Sequence, residues 1–349
     1  MKSYALLDGV FGVMRKTRAH DVGQLLGLHL PVLVLIVVIA IAGHFLSLRL
    51  GGSAFLYALL LGLLCHPLAR QPDTEVSVNT ATRWFLPAGI ALMGLQITFT
   101  DLQLLGWKVF VLVALVVCVS LLLGYCLARL FGLGAGHSIL SAAAVSICGA
   151  SAAAAIFSVL PATRRSDSQL TATITGVTVL SALAMVAYPP LILQMGLDEQ
   201  AAAIFLGASI HDVAQAVAAG HTLSPQAGET AALVKLMRVA LLAPVVALVF
   251  MSFGRRGRGV SAARLPVFIY AFAALLTLNS VMALPFDVAV MASHLSFSCI
   301  LMAVAATGLR TSLVDLVSLG AKPIVTLTLQ SLLLAALALV LAFAFGGFH

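Results

Sequence analysis

The sequence predicts an all-α polytopic membrane protein of about eleven transmembrane helices, and three observations predict it. Of 349 residues, 62% are hydrophobic and 9% are charged, whereas a soluble domain carries about 25% charged residues. The apolar residues fall in runs close to the ~20 residues that a helix needs to cross a bilayer. The basic residues collect between these runs, as Arg15, Lys16 and Arg18 and again as Arg255, Arg256, Arg258 and Arg264, which is how cytoplasmic loops look under the positive-inside rule.

Taken in order, the spans fall near 27–49, 53–69, 84–99, 107–131, 137–160, 168–195, 199–221, 230–253, 265–284, 286–308 and 322–346. They leave no room for a sizeable soluble domain. Residues 1–26 form a cytoplasmic or interfacial N-terminal segment, too long and mixed for a signal peptide. Residues 27–349 form a single integral membrane domain. A cytoplasmic N-terminus places Arg70, Arg83, Arg129, the 255–258 cluster, Arg310 and Lys322 inside and leaves Arg164 and Arg165 outside, against the rule. The expected setting is the inner membrane of a bacterium, and the net charge of +7 reflects topology rather than nucleic-acid binding. The five cysteines have no metal-ligand spacing and lie mostly inside apolar runs, which argues against a disulfide framework.

An internal repeat is visible at an offset of 214. GLQITFTDLQLLGWK at 94–108 and GLRTSLVDLVSLGAK at 308–322 share Gly94/Gly308, Asp101/Asp315, Gly106/Gly320 and Lys108/Lys322, among others. Shared Leu and Gly are cheap in so apolar a chain; a shared Asp and Lys are not. Seven crossings separate the two copies, so they belong on opposite faces, as in the inverted repeats of secondary transporters. A helix–loop–helix connection arising twice is the plainer alternative.

Two spans are expected to be interrupted. Span 5 carries Ser146, Cys148, Gly149 and Ser151 at mid-depth, and span 7 carries Gly207, Ser209, His211, Asp212 and Gln215. Gly flanked by Ser lets a membrane helix unwind where its freed backbone groups face protein or water; a seam of small residues between helices is the alternative for span 5. An unwound half-helix offers N–H groups and a positive dipole end to an anion. Ser146, Cys148, Gly149, Ser151 and Gln215 are therefore candidate substrate ligands. Lys235 and Arg238, three apart, are candidate countercharges for an anion, or cations snorkelling to an interface. His211 and Asp212 are candidates for proton or ion coupling, because ionisable residues at mid-membrane are costly and a His titrates near neutral pH. The structural alternative is that the two side chains satisfy each other, or backbone groups at the break.

SICGASAAAA at 146–155, GASIHDVAQAVAAG at 207–220, KLMR at 235–238 and GIALMGLQIT at 89–98 resemble the signatures of the YeiH-type bacterial membrane proteins, a family also named for sulfate export. The resemblance runs from about residue 50 to the C-terminus. It implies a fold similar to bile-acid/sodium symporters and cation–proton antiporters, with crossing broken helices in a core domain beside a static panel domain. It also implies export of a sulfate- or sulfite-like anion. The expected activity is secondary transport of such an anion, or an organosulfur-derived one, coupled to H⁺ or Na⁺ in the lipid bilayer, by a protein that can pair as a homodimer. A sodium- or proton-coupled carrier of organic anions or cations shares that fold. An enzyme is not expected: the chain has no HExxH, no carboxylate near Asp212 to form a dyad and no GxxxxGK[ST], hence no metal, nucleotide or other cofactor.

Overall fold

A computed structural model describes residues 19–69, 72–253, 267–282, 284–312 and 320–345. The N-terminal segment 1–18, Asp315 and the cluster at 255–264 lie outside the described residues. Among those described are fourteen α-helices and no strand. They are α1 (Ala19–Leu50), α2 (Ala54–Leu64), α3 (Pro72–Met93), α4 (Phe99–Leu130), α5 (Ala135–Ser146), α6 (Ala150–Val159) and α7 (Asp167–Gln194), then α8 (Glu199–Ser209), α9 (Val213–His221), α10 (Pro225–Ala240), α11 (Leu242–Phe253), α12 (Val267–Met282), α13 (Phe286–Arg310) and α14 (Ala321–Phe345). Six stretches are long and apolar enough to cross a membrane: Leu30–Leu50, Leu105–Leu130, Asp167–Gln194, Pro225–Phe253, Asp287–Arg310 and Ala321–Ala344. The third expected span begins twelve residues early, because hydropathy misses the polar opening PDTEVSVNTATR of α3. Pro72 at its first position suits a helix start.

The helices sort into two groups. In the panel, α3 packs on α13, α12 and α1, and α2 packs on α1 and α13. The α2/α13 crossing is close: a Cβ on Gly62 would stand 2.5 Å from the Ala305 carbonyl, and one on Gly308 equally near that of Leu59. In the core, α4 packs on α5 and α14, α14 on α8, and α10 on both α8 and α9. The core interior is largely alanine, with Ala142–Ala144, Ala152, Ala153, Ala203 and Ala216 at 0% exposure. Small side chains let membrane helices approach closely enough for dispersion to hold them.

The interruptions fall where expected, in spans 5 and 7, but neither span crosses. The start of α5 meets the residues after α6: a Cβ on Gly136 would overlap the Arg164 carbonyl. The start of α8 likewise meets the residues after α9, where Ser224 Oγ donates to Glu199 Oε1. Each segment is thus a re-entrant hairpin whose ends share one side, α5–α6 the first and α8–α9 the second. Their half-helices of 12, 10, 11 and 9 residues are about 14–18 Å long at 1.5 Å per residue, which reaches the middle of a ~30 Å hydrocarbon core. Expected spans 5 and 7 are therefore hairpins, in place of the crossing broken helices that the resemblance implied.

Because α7 alone separates the hairpins, they enter from opposite ends of the bundle. The first opens at an end bearing Arg129, Arg164, Arg165, Arg310 and Lys322. The second opens at an end bearing Asp101, Asp198, Glu199 and Glu229. Hairpin geometry thereby moves Arg164 and Arg165 to the basic end and removes the anomaly in charge placement. The offset-214 repeat also has a structural counterpart. Its described parts lie at opposite ends, with Asp101 beside Glu199 at the acidic end and the Leu309 carbonyl accepting from His66 Nδ1 at 2.8 Å, beyond the end of α2. Gly106 (φ 79°) and Gly320 (φ 82°) share the left-handed backbone that only Gly adopts at ease.

Candidate functional site

The two hairpin tips meet in the core. The first consists of Ile147, Cys148 and Gly149, the second of Ile210, His211 and Asp212. A Cβ on Gly149 would stand 3.7 Å from that of His211. Gly149 has φ 66° and ψ −123°, a conformation open to Gly alone, and this is what lets α5 stop and α6 restart within three residues.

Each tip brings together one helix C-terminus and one helix N-terminus, each with unpaired backbone groups. The C-termini are closed by α10. Lys235 Nζ donates to the Ile147 and Ile210 carbonyls at 2.9 and 2.7 Å. The Arg238 guanidinium donates to Val145 and Ser146 in the first hairpin and to Gly207 and Ile210 in the second, at 2.9–3.2 Å. Both side chains have 0% exposure. Their charges face the negative ends of α5 and α8, a favourable placement. Two of the three Lys235 donors and all five Arg238 donors thus go to carbonyls, and the pair pins the two tips to one helix.

The N-termini differ from each other. Asp212 caps α9, its Oδ1 accepting from Ala214 N at 2.8 Å and from Gln215 N at 3.4 Å. Its own N–H donates to Ser181 Oγ at 2.9 Å. At α6 the cap position is Gly149, which has no side chain to cap the helix. The Cys148 thiol, a weak acceptor, stands at this end, 2.8 Å from Ser151 Oγ and in reach of the Ala152 N–H. Ser151 is exposed and Asp212 is half-buried, while the surrounding tip residues are buried.

His211 and Asp212 do not pair. His211 Nε2 meets Ser331 Oγ on α14 at 2.8 Å, and that hydroxyl donates to the Leu327 carbonyl at 2.8 Å. With the hydroxyl proton so committed, Nε2 is the donor and Nδ1 carries the lone pair, an assignment made from the hydrogen-bond network. Nδ1, Ser146 Oγ and both amide atoms of Gln215 are buried without partners. Orphaned polar atoms are costly in an apolar interior. Of the residues singled out by sequence, the structure brings all nine to the two tips or the helix that pins them. Sequence reasoning missed Ser181 and Ser331, hydroxyls inside apolar spans with no local signal. Asp212 does satisfy backbone groups at the break, one of the readings open from sequence, and its Asp-x-x-Gln spacing to Gln215 fits such a cap.

Comparisons with known proteins agree with the motifs. Residues 27–327 match the family described as Conserved hypothetical protein 698. The chain is 37% identical over 316 residues to the UPF0324 membrane protein CT0845 of Chlorobaculum tepidum, covering 89% of this chain and 88% of that one. It is 38% identical over 323 residues to the UPF0324 membrane protein RB0971 of Rhizobium meliloti, covering 91% and 94%. It is 41% identical over 305 residues to the UPF0324 membrane protein TauZ of Paracoccus denitrificans, covering 85% and 90%. No solved structure matches it. The chain is a membrane protein that belongs to the Conserved hypothetical protein 698 family, the UPF0324 proteins whose YeiH-type motifs it carries.

Proposed function

We propose that this protein is a secondary transporter that carries a small oxyanion, sulfate- or sulfite-like or organosulfur-derived, across the bacterial inner membrane. The observation that carries the reading is the N-terminus of α6, capped by Gly149 with no carboxylate and exposed at Ser151, in the half-depth site where two buried cations converge. The formal charges of Lys235, Arg238 and Asp212 leave one positive charge unbalanced in a low-dielectric interior. An anion at the N–H groups of Ala150, Ser151 and Ala152 balances it and finds a positive helix end. Coupling to protons runs through His211 in this reading: a proton taken up at Nδ1 turns that atom into a donor for the anion. The positive-inside rule puts the basic end, and with it the N-terminus, in the cytoplasm.

The test is a thermal-shift titration of purified protein with sulfate, sulfite, thiosulfate and organic sulfonates, repeated across pH and with Na⁺. A ligand that binds only the folded state stabilises it by RT ln(1 + [L]/Kd), about 2.7 kcal/mol at one hundred times Kd. At least one of these anions is expected to raise Tm in wild type and to lose that effect in Ser151→Asp, which sets a fixed negative charge at the same helix end. Stabilisation by cations alone, with no response to any anion, contradicts the reading.

A further inference from the structure

The two hairpins are one device built twice with different chemistry. At an offset of 63 residues, Ser146 pairs with Ser209 and Ile147 with Ile210. These positions end α5 and α8 respectively, and Lys235 binds the carbonyls of both isoleucines. The helix restarts also correspond, α6 at Ala150 and α9 at Val213. At the two positions between, the copies diverge: Cys148 stands opposite His211, and Gly149 opposite Asp212. The two restarts are approached differently, through φ 66° at Gly149 and φ −88° at Asp212, but both leave helix N–H groups at the tip, and only at α9 does the chain supply a carboxylate to them.

We infer that Asp212 is a tethered anion occupying the second of two pseudo-equivalent oxyanion half-sites, so that the transporter holds one substrate anion where its backbone offers two places. This rests on the anion-transport reading above and refines it. The Asp212 oxygen accepts from Ala214 N and Gln215 N. The matching N–H groups in the first hairpin are those of Ser151 and Ala152, so they mark where a substrate oxygen sits. A ligand there must present an oxygen able to accept from two adjacent N–H groups, which a sulfate or sulfonate does. A further observation points to a ligand at this place. His211, 2% exposed with Nδ1 unpartnered, lies against the Gly149 position.

The two half-sites also carry different electrostatic loads. With Asp212 in place, the second tip presents a carboxylate among the orphaned groups and repels a second anion. Without it, both positive helix ends are free. The difference follows from one residue, since Gly at 212 removes the carboxylate that the first tip lacks at Gly149.

Equilibrium dialysis of the full-length, detergent-solubilised protein against radiolabelled sulfate counts the half-sites. Wild type is expected to bind one sulfate per chain and Asp212→Gly two. Asp212→Asn is expected to stay at one, because the amide oxygen still fills the N–H groups of α9 after the charge is gone. A folded Asp212→Gly protein that binds one sulfate overturns the inference while leaving the transport reading intact. If wild type binds none, both fall. Should Asp212→Gly fail to fold, wild type with selenate decides by anomalous scattering: selenium is expected beside Ser151 and Ala152 and absent beside Ala214 and Gln215. Selenium at the second tip of wild type also overturns it.

Discussion

At the scale of single residues, the tips are held by Arg238 more than by any other side chain. Its fork reaches four carbonyls in two hairpins, a geometry that Lys cannot reproduce from one ammonium. Arg238→Lys is therefore not conservative, and Arg238→Ala strands buried acceptors whose desolvation costs about 1–3 kcal/mol each when unpaired. We expect Arg238→Ala to lower stability by about 3 kcal/mol or more and Arg238→Lys by a smaller but clear margin, read as a drop in Tm of purified protein. A Tm unchanged in Arg238→Ala contradicts the pinning role. Rarity made these residues legible: Lys235, Arg238, His211 and Asp212 stand out in a chain that is 9% charged. Their division of labour was not legible, because it depends on which helix end each one faces. Nothing in KLMR tells a substrate ligand from a clamp on carbonyls.

At the scale of elements, hydropathy located nearly every helix and both interruptions, yet it mistook the direction of two. A 24-residue apolar run reads as one crossing whether its second half continues or returns. Two signs of return were present in the sequence. Arg164 and Arg165 violated the positive-inside rule under a crossing count, and the pair Ser-Ile recurred at 146–147 and 209–210. Neither is decisive without knowing that Gly136 abuts Arg164. The hairpins make a sharp prediction for single-cysteine labelling in intact cells. Leu130→Cys and Thr163→Cys flank the first hairpin at exposed positions and should both react from the cytoplasmic side. Gln200→Cys and Gln226→Cys, exposed around the second, should both react from the opposite side. Opposite labelling within either pair restores a crossing and removes the hairpin.

At the scale of the whole molecule, two packed groups of helices meet along a cleft. A cavity of about 680 Å³ lies between α1 and α13 of the panel and the His221–Pro225 end of the second hairpin. His221 stacks on Phe55 with ring centroids 5.4 Å apart and meets Phe297 edge-on at 6.2 Å, so a few ring contacts join core to panel there. Inside the core, by contrast, both tips are pinned to α10. Such a division favours movement of the core as a body past the panel, with the tips carried together, over separate opening of each hairpin. The offset-214 repeat made the inverted design readable in outline, since glycine conformation and a shared Asp survive in sequence. The offset-63 repeat escaped because alanine-rich half-helices look alike in any register.

The central claim is that a small anion is carried at the free N-terminus of α6. Counterflow of radiolabelled sulfate into proteoliposomes tests it most directly, comparing wild type with Ser151→Asp at matched Tm. Wild type is expected to accumulate label against internal unlabelled sulfate, faster at acidic than at alkaline external pH, and Ser151→Asp to fall at least a hundredfold, to the level of empty liposomes. Sulfate counterflow by Ser151→Asp at the wild-type rate would contradict the account.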